Sequence, residues 1–145
     1  MVSIRQLIAP RSTAHAHCDI PCGIYDPAGA KTAADTVAKM VEKIDGFAKE
    51  ISTAKGAAEV TARNNFVRSI HVKEEHAQLC KTELLILWTD YFKPEHLEKY
   101  PKLHETFWKA AKLCGKNKQT VDAAAAAELQ AAVKEISEIF WATKK

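Results

Sequence analysis

Apolar residues in this chain recur at alternating intervals of three and four, and that spacing decides what it can fold into. Ala34, Val37, Val41, Ile44, Ala48 and Ile51 form one such stripe. Phe66 and Ile70 open a second, which Ala77, Cys80, Leu84, Leu87 and Tyr91 continue. Leu103, Phe107, Ala110 and Cys114 form a third, and Leu129, Val133, Ile136 and Phe140 a fourth. A helix that buries one face shows this period, whereas a half-buried strand alternates residue by residue. No segment alternates in that way, and none carries hairpin turn signals. The spacing therefore predicts an all-α chain, an antiparallel up-and-down four-helix bundle around an a/d-type core.

The boundaries follow from local punctuation. Asp26-Pro27 reads as an N-cap with proline at the first helical position. Gly56 is a stop for the first helix and Gly115 a C-terminal cap for the third. The second helix is expected from about Ala58 to Tyr91, ending before Pro94, with a bend or register change where Lys73 interrupts its stripe. Pro94 and Pro101 divide the approach to the third helix into a short turn and the helix proper. The fourth is expected from about Thr120 to Trp141. The Ala123–Ala127 run reads as high helix propensity.

At 145 residues the chain is long enough for one domain with a core that needs no disulfide staples. No apolar run approaches a membrane span. The formal charge of +3 falls to +1 once Arg5 and Arg11 are set aside. That balance lacks the basic stripe of a nucleic-acid binder. Four cysteines are too few for a secreted disulfide scaffold. Cys80 and Cys114 fall on apolar stripes and read as reduced core residues.

Residues 1–16 contain two arginines and no acid, with too little apolar sequence for a secretory h-region. They read as a pro-segment, an organelle transit peptide or a disordered terminus. Ala14-His15-Ala16 has the look of a small-residue processing site. The chemistry of the next residue favours cleavage, because His17 would then begin a domain over 17–145 with a free amine.

His17-Cys18-Asp19-Ile20-Pro21-Cys22 places one imidazole and two thiols within six residues. Pro21 and Gly23 oppose a helical turn here and suit a tight hook, in which the Ile20–Pro21 bond is a candidate for the cis form. After cleavage, His17 offers an α-amine and an imidazole, Cys18 a thiolate and an amide nitrogen, and Cys22 a second thiolate. Planar nitrogen-rich sets favour Ni(II) or Cu(II), and thiolates drive copper toward Cu(I), so nickel suits this set better. A structural zinc would need a second Cys/His pair at ligand spacing, which is missing. A bare C-x₃-C is more often a chance pair or an incidental disulfide than a redox metal site. No histidine pair elsewhere has the i, i+4 spacing of helical ligands: His71 and His76 lie five apart, His96 and His104 eight apart.

The string His17-Cys18-Asp19-Ile20-Pro21-Cys22-Gly23-Ile24-Tyr25-Asp26-Pro27 resembles the nickel hook of nickel-containing superoxide dismutases, matching H-C-D-x-P-C-G-x-Y-D-P at every fixed position. The resemblance continues through Leu87-Trp88-Thr89-Asp90-Tyr91-Phe92-Lys93-Pro94 and Glu98-Lys99-Tyr100-Pro101 to Ile139-Phe140-Trp141. It implies one nickel ion per subunit, held in plane by the His17 amine, the Cys18 amide nitrogen and the Cys18 and Cys22 sulfurs. The His17 imidazole would be axial in the oxidised state. Tyr25 would stand over the open face, and Asp19 and Pro21 would shape the hook. It also implies a pro-segment removed before His17 by a protease, and assembly as a homohexamer. Two positions depart from the pattern. Ala33 stands where some members have a glutamate that helps hold the imidazole, and His76 where those members have an arginine.

The implied reaction is disproportionation of superoxide to dioxygen and hydrogen peroxide by Ni(III)/Ni(II) cycling. Neither nucleic acid nor membrane is an expected partner. The alternative is a helical protein that binds nickel or copper without turnover. A further rival is an interaction bundle whose two early cysteines form a disulfide. Unpaired core cysteines suit the cytoplasm, and a basic leader leaves an organelle as the alternative.

Overall fold

The computed structural model describes residues 24–144. The hook residues His17 to Gly23, with the Ile20–Pro21 bond, lie outside them. The described chain is helical throughout its regular parts: α1 (Ala28–Thr53), α2 (Ala57–Ile86), a π-helical turn (Leu87–Tyr91), α3 (Pro94–Lys99), α4 (Leu103–Gln119) and α5 (Ala123–Thr143). The four long helices are those that the stripes predict. α1 packs on α2, α2 on α4, α4 on α5, and α5 returns to α1, which closes an up-and-down bundle. Its core joins Val37 and Val41 of α1, Cys80 and Leu84 of α2, Phe107 and Cys114 of α4, and Leu129, Val133, Ile136 and Phe140 of α5.

The stripes and the core part company at one end. α2 has 30 residues and α4 only 17. At about 1.5 Å per residue, α2 outreaches α4 by about 20 Å, whereas α1 is little more than a turn longer than α5. Ala48, expected in the core, is therefore exposed, and Ile51 is half-buried. Val60 and Val67 on the same overhang are 68% and 62% exposed. At the hairpin's tip α1 ends at Thr53, and Gly56, with φ of 60°, turns the chain into α2. That left-handed conformation favours glycine.

Lys73 does not break its helix. With Ala62, Ser69, Ala77 and Cys80 it lies on the buried face of α2, and only 1% of its surface is exposed. Its Nζ donates to the carbonyls of Asn117, Lys118 (3.1 Å) and Thr120 (2.9 Å). These are groups that the C-terminus of α4 leaves without helical partners. The ammonium also meets the negative end of the α4 dipole. Burial pulls the lysine below its usual pKa, while three carbonyl acceptors favour the charged form.

The same contact explains why α4 ignores Gly115. The helix runs on to Gln119 because Asn117, fully buried, donates to the carbonyls of Leu113 (3.0 Å) and Ala125 (2.9 Å), and Lys73 caps the end. A tertiary cap outweighs a local stop signal. α5 begins at Ala123, later than Thr120, because the Asp122 carboxylate accepts from the amides of Ala124 (2.9 Å) and Ala125 (3.1 Å). At α1 the capping position is Pro27, and Asp26, the cap that the sequence suggests, stands one residue outside it, where its carboxylate accepts from the Ala28 amide at 2.7 Å.

Both caps can be probed by substitution. Lys73→Met keeps the aliphatic stem but orphans three carbonyls, and should cost about 2–3 kcal/mol. Urea denaturation measures it, and a loss below about 0.5 kcal/mol would show that water replaces the ammonium. The amide of Ala125, then that of Ala124, and Lys116 hold Asp122 below the usual aspartate pKa. A carboxylate depressed in the folded state stabilises above its unfolded pKa, and that contribution is lost as pH falls through the folded value. Asp122→Ala should therefore lower Tm at neutral pH and flatten its fall on acidification. An unchanged acid slope would contradict the assignment.

Candidate metal centre

Of the predicted site residues, His17, Cys18, Asp19 and Cys22 lie outside the described residues, and Tyr25 lies within them. No group of three or more His, Cys, Asp or Glu that could hold a metal ion occurs among the described residues. The chain's candidate ligands therefore remain His17, Cys18 and Cys22. The structure shows the seat on which their segment ends.

That seat is aromatic. Tyr25 is half-buried, and its ring lies tilted against Tyr91 with centroids 5.7 Å apart. Tyr91 in turn packs on Phe140 at 4.4 Å, meets Phe92 edge-on at 4.9 Å, and stacks on His96 at 5.9 Å. The π-helical turn sets this cluster: the Phe92 amide bonds back to the Leu87 carbonyl at 3.1 Å before Pro94 opens α3. Such turns widen a helix by one residue and recur at functional sites.

The end of α5 closes the cluster from the other side. Thr143 Oγ1 donates to the Phe140 carbonyl at 2.8 Å, which leaves the Tyr91 hydroxyl to donate to Thr143 Oγ1 at 3.0 Å. Lys144 Nζ donates to the Tyr25 carbonyl at 2.7 Å. Tyr91 closes the π-helical turn, and Lys144 directly follows α5. Both touch Tyr25, and Lys144 does so across a separation of 119 residues that no local spacing signals.

Ala33 and His76 occupy different settings. Ala33 is core, 1% exposed, and carries no polar group toward the hook. His76 is half-buried, with Nδ1 donating to the Val72 carbonyl of its own helix at 2.9 Å. One turn before Ala33, a Cβ on Gly29 would stand 2.9 Å from Glu83 Oε2. The missing side chain at Gly29 thus makes room for a carboxylate over the first turn of α1, where the helix dipole favours it.

The other histidines and cysteines among the described residues have ordinary partners. His71 pairs with Glu75 at 3.1 Å, His96 Nδ1 accepts from the Lys93 amide at 3.1 Å, and His104 Nδ1 accepts from Trp88 Nε1 at 2.7 Å. Cys80 and Cys114 are free and fully buried, as their stripes suggest. The Cys80 thiol donates toward Cys114, which raises Cys80 above the usual thiol value and lowers Cys114. Trp88 stacks on Phe107, whereas Trp108 and Trp141 are 55% and 53% exposed.

A four-helix bundle, with a donor-rich segment in the sequence just before the tyrosine that packs on its aromatic end, suits a helical metalloprotein. The family described as nickel-containing superoxide dismutase matches residues 12–144. A nickel superoxide dismutase of Streptomyces coelicolor is 37% identical over 143 residues, 98% of each chain. A native nickel superoxide dismutase solved at 1.30 Å is 36% identical with a TM-score of 0.72, and the match covers 89% of this chain and 100% of that one. Similar structures of variants, 33–34% identical with TM-scores of 0.68–0.72, carry changes at a histidine, an aspartate and a tyrosine. The chain belongs to the nickel-containing superoxide dismutase family. It is accordingly an oxidoreductase, with nickel as its metal.

The seat is testable by itself. Tyr91→Phe removes one hydrogen bond and should cost about 1 kcal/mol. Tyr91→Ala removes the ring that Tyr25 and Phe140 share, and should cost about 3–5 kcal/mol. Equal losses in the two variants, read from chemical denaturation, would contradict the packing role.

Proposed function

We propose that the chain disproportionates superoxide at a nickel site built on its N-terminal arm, and that the site exists only after the bond before His17 is cut. The observation that carries this reading is the unbroken match of residues 17–27 to the family's hook, in a chain that belongs to that family from residue 12 to residue 144. The donor set suits the metal: two thiolates and a deprotonated amide would offer it soft, anionic donors. Two superoxide ions and two protons yield one dioxygen and one hydrogen peroxide. Nickel, when bound, supplies the one-electron couple for the two halves of that exchange.

The chain's own residues do the rest. The His17 amine and imidazole, the Cys18 amide nitrogen and sulfur, and the Cys22 sulfur would hold the ion, the amine and imidazole in their neutral forms and the amide and both thiols deprotonated. Tyr25 limits access to small anions and orders water near the site. Asp19 and Pro21 shape the hook. Peroxide oxidises exposed thiolates, so shielding of Cys18 and Cys22 matters to the lifetime of the enzyme.

Three observations support this assignment. The residues changed in the similar variant structures are spaced by two and then six positions, the spacing of His17, Asp19 and Tyr25. The changed histidine stands first in its chain. The solved native chain is matched in full by 89% of this one, whereas the curated relative matches over 98% of both. The difference is of the size of the segment before His17, which supports its reading as a pro-segment.

Assembly as a homohexamer would cover Val60, Val67, Trp108 and Trp141, which a single copy leaves exposed. Free, buried Cys80 and Cys114 suit a reducing cytoplasm rather than an oxidising compartment.

Intact mass, metal analysis and a superoxide assay on one preparation test the proposal. The expected result is a chain beginning at His17 with one nickel, and activity lost in Cys18→Ser. Full activity in a chain still carrying residue 16 would sink the mechanism, because the amine would then be an amide. Bound nickel or copper without turnover would favour a metal carrier.

A further inference from the structure

We propose that Lys144 is a positioning residue for Tyr25: its ammonium fixes the backbone of Tyr25 while Thr143, its neighbour, fixes the ring through Tyr91. This rests on the role proposed above for Tyr25.

Tyr25 is where the hook joins the bundle, and its own backbone has no helical partner. The first carbonyl of that region to accept a helical amide is that of Pro27, from Lys31. The Asp26 side chain turns the chain toward Ala28, but among the described residues this leaves the Tyr25 carbonyl without a backbone donor. Lys144 Nζ supplies one at 2.7 Å. A hydrogen bond from an ionised donor is about twice as strong as a neutral one.

Lys144 is itself held in place. Its ammonium lies 5.0 Å from the Phe140 ring centroid and 5.3 Å from that of Trp141, both on the last turns of α5. Among the described residues no carboxylate lies within ion-pair distance of it. The next residue back, Thr143, accepts from Tyr91, whose ring meets that of Tyr25. Two consecutive residues at the end of α5 thus grip Tyr25 by its carbonyl and by its ring. Fixing both before substrate arrives removes the cost of ordering them during turnover.

A lone positive charge near the site would also steer an anion, with no need of a specific hydrogen bond. The two roles separate by salt and by geometry. Charge steering weakens as salt screens it over about 8–10 Å, whereas a local clasp does not.

The test uses the processed chain with Lys144→Met and Lys144→Arg. The protein contains three tyrosines, so tyrosine-selective labelling gives a small set of ring signals in the metal-free protein. In Lys144→Met the Tyr25 signals should shift and broaden while those of Tyr100 stay in place, and Lys144→Arg should restore them. In the nickel-loaded enzyme Lys144→Met should lower kcat about tenfold at both low and high salt, with nickel content unchanged and Lys144→Arg within about twofold of wild type. Unmoved Tyr25 signals overturn the clasp whatever the activity. Moved signals with wild-type kcat overturn its catalytic consequence, as does a loss that disappears in high salt. Full turnover in Tyr25→Ala would instead overturn the role of Tyr25, while the ring signals of Lys144→Met still decide whether the clasp exists.

Discussion

The ring of Tyr91 is where three distant parts of the chain meet: the exit of the hook at Tyr25, the π-helical turn that ends α2, and the last turns of α5 at Phe140 and Thr143. Each is weak alone. The hook's exit is irregular chain, the turn has poorer hydrogen-bond geometry than an α-helix, and helix ends fray. Packed on one aromatic ring, they gain buried area and a shared hydrogen bond. The ring serves as the floor against which Tyr25, the residue that leads from the hook into the bundle, is packed.

The division of labour explains what a sequence of this kind discloses. The four stripes are legible because each helix buries one face, and Leu84, Phe107, Val133 and Phe140 are in the core as their spacing requires. The hook is legible because its donors are contiguous. Contacts between distant segments are not. Lys73 looks like an interruption because its stem belongs to the α2 stripe while its ammonium reaches the end of α4. Gly115 looks like a stop because the Lys73 ammonium that caps the helix beyond it comes from α2. Lys144 looks like a solvated tail because its partner is Tyr25. In all three cases a carbonyl group takes its donor from a residue remote in sequence.

The departures from the family pattern at Ala33 and His76 leave the hook without a charge from either position. Ala33 is apolar core, and His76 satisfies its own helix. A carboxylate does reach the first turn of α1, but it comes from Glu83 of α2, over a glycine that leaves it room.

The π-helical turn carries a last consequence. A helix of about 3.6 residues per turn advances each side chain by roughly 100°, so the single additional residue in Leu87–Tyr91 sets the azimuth of everything after it. The direction in which Tyr91 points is thus stored in a count of residues as well as in contacts. Loss of one residue from this stretch would regularise the helix and leave the α2 stripe up to Leu84 in phase, yet swing the ring away from the hook. An indel here would act as a selector between a helix that ends plainly and one that ends in a platform.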